Sequence, residues 1–275
     1  MGKKIFNNED YQYMIDHYYD MTSSAIAKKI KCSRQLVLKI WRENGLSGKD
    51  RSRQYYFNFS YFNQIDTSNK AYIIGLLASD GNLYKRDNHQ GQIQILLHKK
   101  DEKLLKDIIK EMDGNKPLCY FKDYATLTIN SDEMYDDLLK IGLYDNKTYS
   151  INMNNINIPE EYKFDFLRGY FDGDGSIFKH LQTTCKNITP CCYYICISGY
   201  VHNLLAMKEF LLNKGISCQI TVDKRKKYHG SEFGNLRFGS IKDKMLFITN
   251  IYKNDGIKLE RKYNLAMEYL NLLKS

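Results

Sequence analysis

The stretch Phe166 to Gly175, FLRGYFDGDG, is an apolar helical run that ends abruptly on carboxylates and glycine. A weaker copy stands earlier, YIIGLLASDG, from Tyr72 to Gly81. Laying one over the other places Gly75 on Gly169, Asp80 on Asp174 and Gly81 on Gly175, at a constant offset of 94 residues. A repeat of that length is a duplicated half-domain rather than a solenoid unit.

Both copies carry a glycine in mid-helix, where it costs about 1 kcal/mol relative to alanine. Close approach of two helices repays it, because a missing side chain lets the backbones touch. If the helices pack on each other about a pseudo-two-fold axis, Asp80 and Asp174 meet at its end. Each acid sits in a last helical turn, where the dipole disfavours negative charge, and the two repel each other. A divalent cation relieves both penalties. Hard oxygen ligands with room for water and phosphate suit Mg²⁺, other divalent cations being alternatives. An ion shared between carboxylates and phosphates can generate hydroxide and stabilise a leaving oxygen. The pattern points to metal-assisted phosphodiester hydrolysis.

Outward from the motifs, the period of the apolar residues changes from helical to alternating. Thr67 is the expected cap of a helix over 68–79 that Gly81 ends. Leu83 to Arg86 and Gln92 to His98 read as strands, the second with Ile93, Ile95 and Leu97 on one face. Asp101 to Met112 reads as helix, Leu118 to Phe121 and Ala125 to Ile129 as a hairpin, and Ser131 caps a helix that Gly142 closes. The order recurs after the second motif. Strands are expected over 176–181 and 193–198, a helix over 202–214, strands over 218–223 and 236–238 around a long basic loop, KRKKYHGSEFGN, and helices from Ser240 and Leu259.

Before the first motif, Asn8 to Tyr19 reads as a helix. A short helix through Ile30, a turn at Lys31 and Cys32, and a second helix capped by Ser33 and stopped by Gly45 follow. Ala27, Ile30, Val37, Ile40 and Trp41 make the inner faces. This is a helix-turn-helix pattern, whose second helix enters the major groove. Arg34, Gln35, Leu38, Lys39 and Arg42 would then face DNA, with Arg34 and Gln35 best placed for base edges. The expected organisation is a helix-turn-helix module over 1–46, a linker over 47–64, one half over 65–149 and a second over 150–275.

Lys and Arg outnumber Asp and Glu by 41 to 32, for a net charge of +9. A surplus of that size favours a polyanionic partner. The seven cysteines include no CxxC pair, which reads as free thiols in a reducing compartment rather than a zinc site. No apolar run spans a membrane, and the N-terminus lacks the apolar core of a signal peptide, so an intracellular, cytoplasmic protein without a membrane partner is expected.

IIGLLASDG and LRGYFDGDG resemble the two motifs of the single-chain LAGLIDADG homing endonucleases, a likeness that extends over about Ile65 to Leu273. It implies an α+β fold in which a pseudo-two-fold pair of αββαββα halves carries saddle-like antiparallel sheets along the major groove. It implies further that Asp80 and Asp174 bind metal, with Ser79 and Gly173 beside them, and that Lys147 in DNKTYS and Lys258 in GIKLER stand near the scissile phosphates, where a lysine can stabilise charge or help activate water. The strand residues expected to face double-stranded DNA are Gln92, Gln94 and His98 in the first half, and Lys179, Tyr194, Ser198, Thr221, Lys224, Arg225 and Arg237 in the second. Two departures stand out. Ala78 occupies the position of Asp172, which makes Asp172 structural, and Arg168 replaces a small helix residue, with its stem expected to pack and its head to reach solvent.

The function so implied is a monomeric, Mg²⁺-dependent, site-specific double-strand DNA endonuclease of the intron-homing kind. Two alternatives share the fold: a non-cleaving transcriptional regulator joined to a helix-turn-helix, and an intron maturase, for which the partner is RNA. The terminal residues of self-splicing are not found, so an intein is not expected.

Overall fold

The computed structural model describes residues 7–18, 21–46, 55–144, 155–184, 187–228 and 231–274. The chain divides into two compact units, residues 1–56 and 57–275.

In the first unit, α1 (Asn8–Asp16) starts with a capping box: Asp10 N–H donates to the Asn7 side chain, and Asn7 N–H donates to the Asp10 carboxylate. α2 (Ser23–Ile30) is capped by Thr22, and α3 (Arg34–Glu43) by Ser33, whose Oγ accepts from Leu36 N–H at 3.2 Å. Lys31, at φ 56°, supplies the left-handed residue that turns the chain between α2 and α3. Met14, Tyr18, Ile26, Ala27, Val37, Ile40 and Trp41 form the unit's own core. Trp41 Nε1 satisfies itself on the Met14 carbonyl at 2.6 Å. Ile26 takes the central place expected of Ile30, which is only half-buried.

In the second unit, α4 (Ser68–Ser79) is buried on every face from Ala71 to Ala78, as an apolar-all-round helix must be. Thr67 caps it, accepting from Lys70 N–H at 3.3 Å. β1 (Gly81–Tyr84), β2 (Gln92–His98), α5 (Glu102–Glu111), β3 (Cys119–Phe121), β4 (Tyr124–Asn130) and α6 (Asp132–Ile141) follow, α6 ending on Gly142 at φ 108°. The order then repeats with α7 (Lys163–Asp174), β5 (Gly175–Thr184), β6 (Asn187–Tyr200), α8 (Val201–Asn213), β7 (Gln219–Tyr228), β8 (Ser231–Arg237), α9 (Ile241–Ile251) and α10 (Glu260–Leu272). Each half carries one antiparallel four-stranded sheet, in the orders β1-β2-β4-β3 and β5-β6-β8-β7. α4, α7 and the inner faces of both sheets share one core. Each large apolar side chain in it contributes about 1.5–3 kcal/mol by burial.

Two expectations change. Gly81 and Gly175 do not end their helices in the left-handed conformation: Gly175 is extended at φ −81°, ψ 159°. They are glycines because a Cβ there would strike the preceding helical turn, at Leu77 and Phe171 respectively. The basic stretch read as a long loop is largely strand, since β7 and β8 run to Tyr228 and from Ser231. The stretch KRKKYHGSEFGN carries no apolar alternation by which the sequence betrays a strand.

Candidate active site and nucleic-acid interface

Two glycines set the geometry of the site. A Cβ on Gly75 would lie 2.0 Å from the Phe166 carbonyl oxygen, and one on Gly169 would lie 1.9 Å from that of Tyr72. The α4 and α7 backbones therefore touch, and their C-terminal ends run out side by side. The last turns are equally close: a Cβ on Gly173 would stand 2.0 Å from Ser79 Oγ and 3.2 Å from Asp80 Oδ2. Gly173 is thus the gap into which the Ser79–Asp80 end fits. Asp80 is exposed and Asp174 half-buried, each directly before the first strand of its own sheet.

Tyr170 ties the acids to the core. Its buried hydroxyl hydrogen-bonds Asp174 within reach of the Asp80 charge, and burial first, then Asp174, pushes the phenol well above its usual range. It remains a neutral donor.

Lys262, on α10, is a site residue that the sequence reading passed over. It is 4% exposed. Its ammonium donates to the carbonyls of Phe171 and Asp172, both at 2.7 Å, of Gly175 at 2.5 Å and of Gly173 at 3.3 Å. A cation is thereby fixed at the C-terminal end of α7, where the orphan carbonyls and the helix dipole concentrate negative potential. Burial pushes the ammonium down to about 8, while the charges of Asp172, Asp80 and Asp174 hold it up. A signal was present: Leu259, Lys262, Ala266 and Tyr269 form one buried stripe at helical spacing. A lysine in such a stripe has to find partners inside.

Asp172 is fully enclosed. It accepts from Tyr72 Oη and Leu259 N–H, both at 2.8 Å, and from Tyr252 Oη at 3.4 Å. Burial raises its carboxyl to about 6 against the pull of these donors. Arg168 departs from expectation, because its head does not reach solvent. At 0% exposure it pairs with Asp165 at 3.0 Å and donates to Ser68 Oγ and to the carbonyls of Ile251 and Asn254. The reason is topological: α7 is enclosed by α4 on one side and by the 251–259 segment on another, so it has no solvent edge.

Lys258 pairs with Asp255 at 2.6 Å and lies over the Tyr263 ring. Lys147 lies outside the described residues, and so do the side chains of Lys224 and Arg225.

On the solvent faces of the sheets, Gln92 and Gln94 donate across to Asn130 and Thr128, while Ser198 donates to Asn235. His98 is exposed, but its Nδ1 accepts from Lys100 N–H. Tyr194, Thr221 and Arg237 are exposed on the second sheet. Lys179 does not join them: it stands opposite buried Tyr193 on the core side of β5 and ion-pairs with Glu268. The expectation fails because Lys179 falls in phase with Ile177, at a sheet edge where α10 offers a carboxylate. On α3, Gln35, Lys39 and Arg42 are exposed. Arg34 is exposed as well, though its Nε donates to Ser23 Oγ at 3.2 Å, which holds its stem toward α2.

Among the described residues no cluster of three or more His, Cys, Asp or Glu side chains could hold a metal. Among the described residues, the donors at the two motif ends are two carboxylates and the backbone carbonyls beside them. Such a set fits a hard cation that completes its shell with water or phosphate oxygens. The open cradle that glycine leaves at position 173 keeps the Asp80 oxygen beside it.

The two packed motif helices, each followed by an antiparallel sheet and ending on an acid, define a known class: the chain has the fold of the LAGLIDADG homing endonucleases. Among solved structures it resembles meganuclease I-SmaMI bound to uncleavable DNA, with 15% identity and a TM-score of 0.52 over 73% of this chain and 88% of that one. I-SmaMI bound to uncleaved target DNA with calcium ions gives 15% identity and a TM-score of 0.51 over 74% and 91%. The I-LtrWI LAGLIDADG homing endonuclease bound to target DNA gives 14% identity and a TM-score of 0.51 over 79% and 92%. No family model and no curated protein matches the sequence.

Proposed function

We propose that this chain is a monomeric, intracellular, site-specific endonuclease that hydrolyses both strands of a DNA duplex with a divalent cation, Mg²⁺ being the natural choice. The observation that carries the reading is the convergence of Ser79–Asp80 on Gly173–Asp174 at the ends of two helices in backbone contact. A regulator that only binds DNA needs the sheets, but it has no use for two acids brought together against their own repulsion. The structures it resembles include complexes with uncleaved and target DNA.

In this reading Asp80 and Asp174 hold the cation, with the carbonyls of Ser79 and Gly173 at hand. When bound, the cation lowers the pKa of water and neutralises charge on the phosphate. Lys262 offsets the negative end of α7, beside which Asp174 and the phosphate would meet. Tyr170 fixes the Asp174 carboxylate from the core side. Lys258, and Lys147 in the first half, supply positive charge to the phosphates. The amides, hydroxyls and arginine of the sheet faces read base edges, while α3, through Gln35, Lys39 and Arg42, lengthens the footprint on DNA.

The test is selection from a randomised duplex library in the presence of Mg²⁺. Double-strand cleavage at one sequence, abolished by EDTA and by either Asp80→Asn or Asp174→Asn, is the expected result. Specific binding that never becomes cleavage with metal would establish the regulator instead.

A further inference from the structure

We propose that Phe178 and Tyr194 form an apolar plate that reads thymine C5-methyl groups in the half-site under the second sheet, an inference that rests on the DNA reading above. The pseudo-two-fold relation matches positions between the two sheets. Gly81 stands opposite Ile95 and Gly175 opposite Ile197, so three residues further along the strands the equivalent pairs are Tyr84 with Gln92 and Phe178 with Tyr194. These equivalent positions carry different chemistry.

In the second half the two rings are stacked at 5.4 Å and 11°, and they remain 47% and 44% exposed. Ile177, Tyr193 and Ile195 alternate with them into the core, which places both rings on the solvent face with Ser198 and Arg237. In the first half Tyr84 carries Arg86 over its ring, and Gln92 spends its amide on Asn130. One half therefore presents a phenol and a glutamine bonded to Asn130, whereas the other presents two stacked aromatic rings at the same place.

The major groove presents one apolar feature, the C5-methyl of thymine, and side chains such as Phe contact it directly. Charge supports that occupant. Arg237 stands on the same face, and Lys244 lies 6.0 Å from the Tyr194 ring, placed for a phosphate. The rings also shield one face of each other, so they are better shaped to bury a methyl than to slot an unpaired base between them. Burial of one methyl is worth about fourfold in affinity, the equivalent of ~0.8 kcal/mol.

The experiment uses the full chain and the duplex it selects, with each thymine replaced singly by uracil, which deletes the methyl and leaves pairing intact. Binding is measured in Ca²⁺. The expected result is a loss of about fourfold at one or two positions, all on one side of the cleavage position, which vanishes in Phe178→Ala/Tyr194→Ala. Phe178→Tyr/Tyr194→Gln, which transplants the first-half pair, should turn the preference at that position from thymine toward adenine, to which Gln donates and accepts bidentately. A flat uracil scan in a chain that binds its site tightly overturns the inference and leaves the DNA reading standing, as does sensitivity that survives in the double variants. A chain that selects no duplex, or that prefers single-stranded RNA, overturns both.

Discussion

Gly75 and Gly169 each face the other helix's backbone across the α4–α7 crossing, where a Cβ would fall 2.0 Å from the Phe166 carbonyl oxygen or 1.9 Å from that of Tyr72. A neighbouring side chain can rotate away from an intruding methyl, but these carbonyls belong to two buried helices and cannot. Gly169→Ala gains about 1 kcal/mol of helix propensity and loses more, because overpacking alone costs about 1–3 kcal/mol where side chains can adjust. The expected net change is a destabilisation of about 2 kcal/mol or more, read as a lowered urea midpoint. A variant as stable as the parent would mean that the helices are not in contact.

The likeness between the halves was legible in the sequence because chemistry that needs two acids repeats its glycines and carboxylates at fixed places. Strand phase in β2 and the caps at Thr67, Ser33 and Ser131 were legible for the same local reasons. What escaped lay in the third dimension. Arg168 looks like a surface arginine until the 251–259 segment closes over it, and Lys179 like a groove residue until its phase with Ile177 is fixed by the start of β5. Lys262 was hidden among many lysines, although its place in a buried stripe marks it.

Asp172 and Asp174 are two residues apart and should behave oppositely. Asp172→Ala leaves Tyr72 Oη and Leu259 N–H without their acceptor inside the core, at about 1–3 kcal/mol for each stranded donor. Its thermal midpoint should fall steeply. Asp174→Asn removes a charge from a half-exposed site that already repels Asp80, so its midpoint should hold or rise while cleavage is lost. Equal destabilisation by both would remove the distinction between a structural acid and a ligand.

Lys262 is a cation built into the acid pair's surroundings. Replacing it by Met keeps the stem but takes the charge from four carbonyl oxygens at the end of α7, and a hydrogen bond to a charged group is worth about 1.5–3 kcal/mol. Only an added divalent cation can then relieve the Asp80–Asp174 repulsion. The variant should therefore melt low in EDTA and gain more from millimolar Mg²⁺ than the parent does, whereas an identical Mg²⁺ shift in both proteins would deny Lys262 that role.

Two thiols give a test of the second half's packing. Cys218 is buried, and burial pushes its thiol up to about 11, whereas Cys119 is exposed on β3. Because only the thiolate reacts, iodoacetamide at pH 8 should modify Cys119 in the native chain and reach Cys218 only as urea unfolds it, followed by peptide mass mapping. Prompt native labelling of Cys218 would show that the β7 end of the core opens readily.

Arg168 and Asp165 pair at 3.0 Å with almost no exposure of either, and Asp165 also receives Ser68 Oγ at 2.7 Å and Asn254 Nδ2 at 3.0 Å. A buried pair of this kind is weak evidence of net stability, because desolvation opposes the attraction, yet removing one member strands the other's charge. Arg168→Met should cost about 3–5 kcal/mol, and Asp165→Asn about as much for the complementary reason. The double variant should be far less damaged than the two losses added together, since neither charge is left behind. Denaturant unfolding of the four proteins gives the coupling directly. Strict additivity would mean that Arg168 is held by the carbonyls of Ile251 and Asn254 and not by the carboxylate, and the clasp between α7 and the 251–254 segment would then be one of backbone acceptors alone.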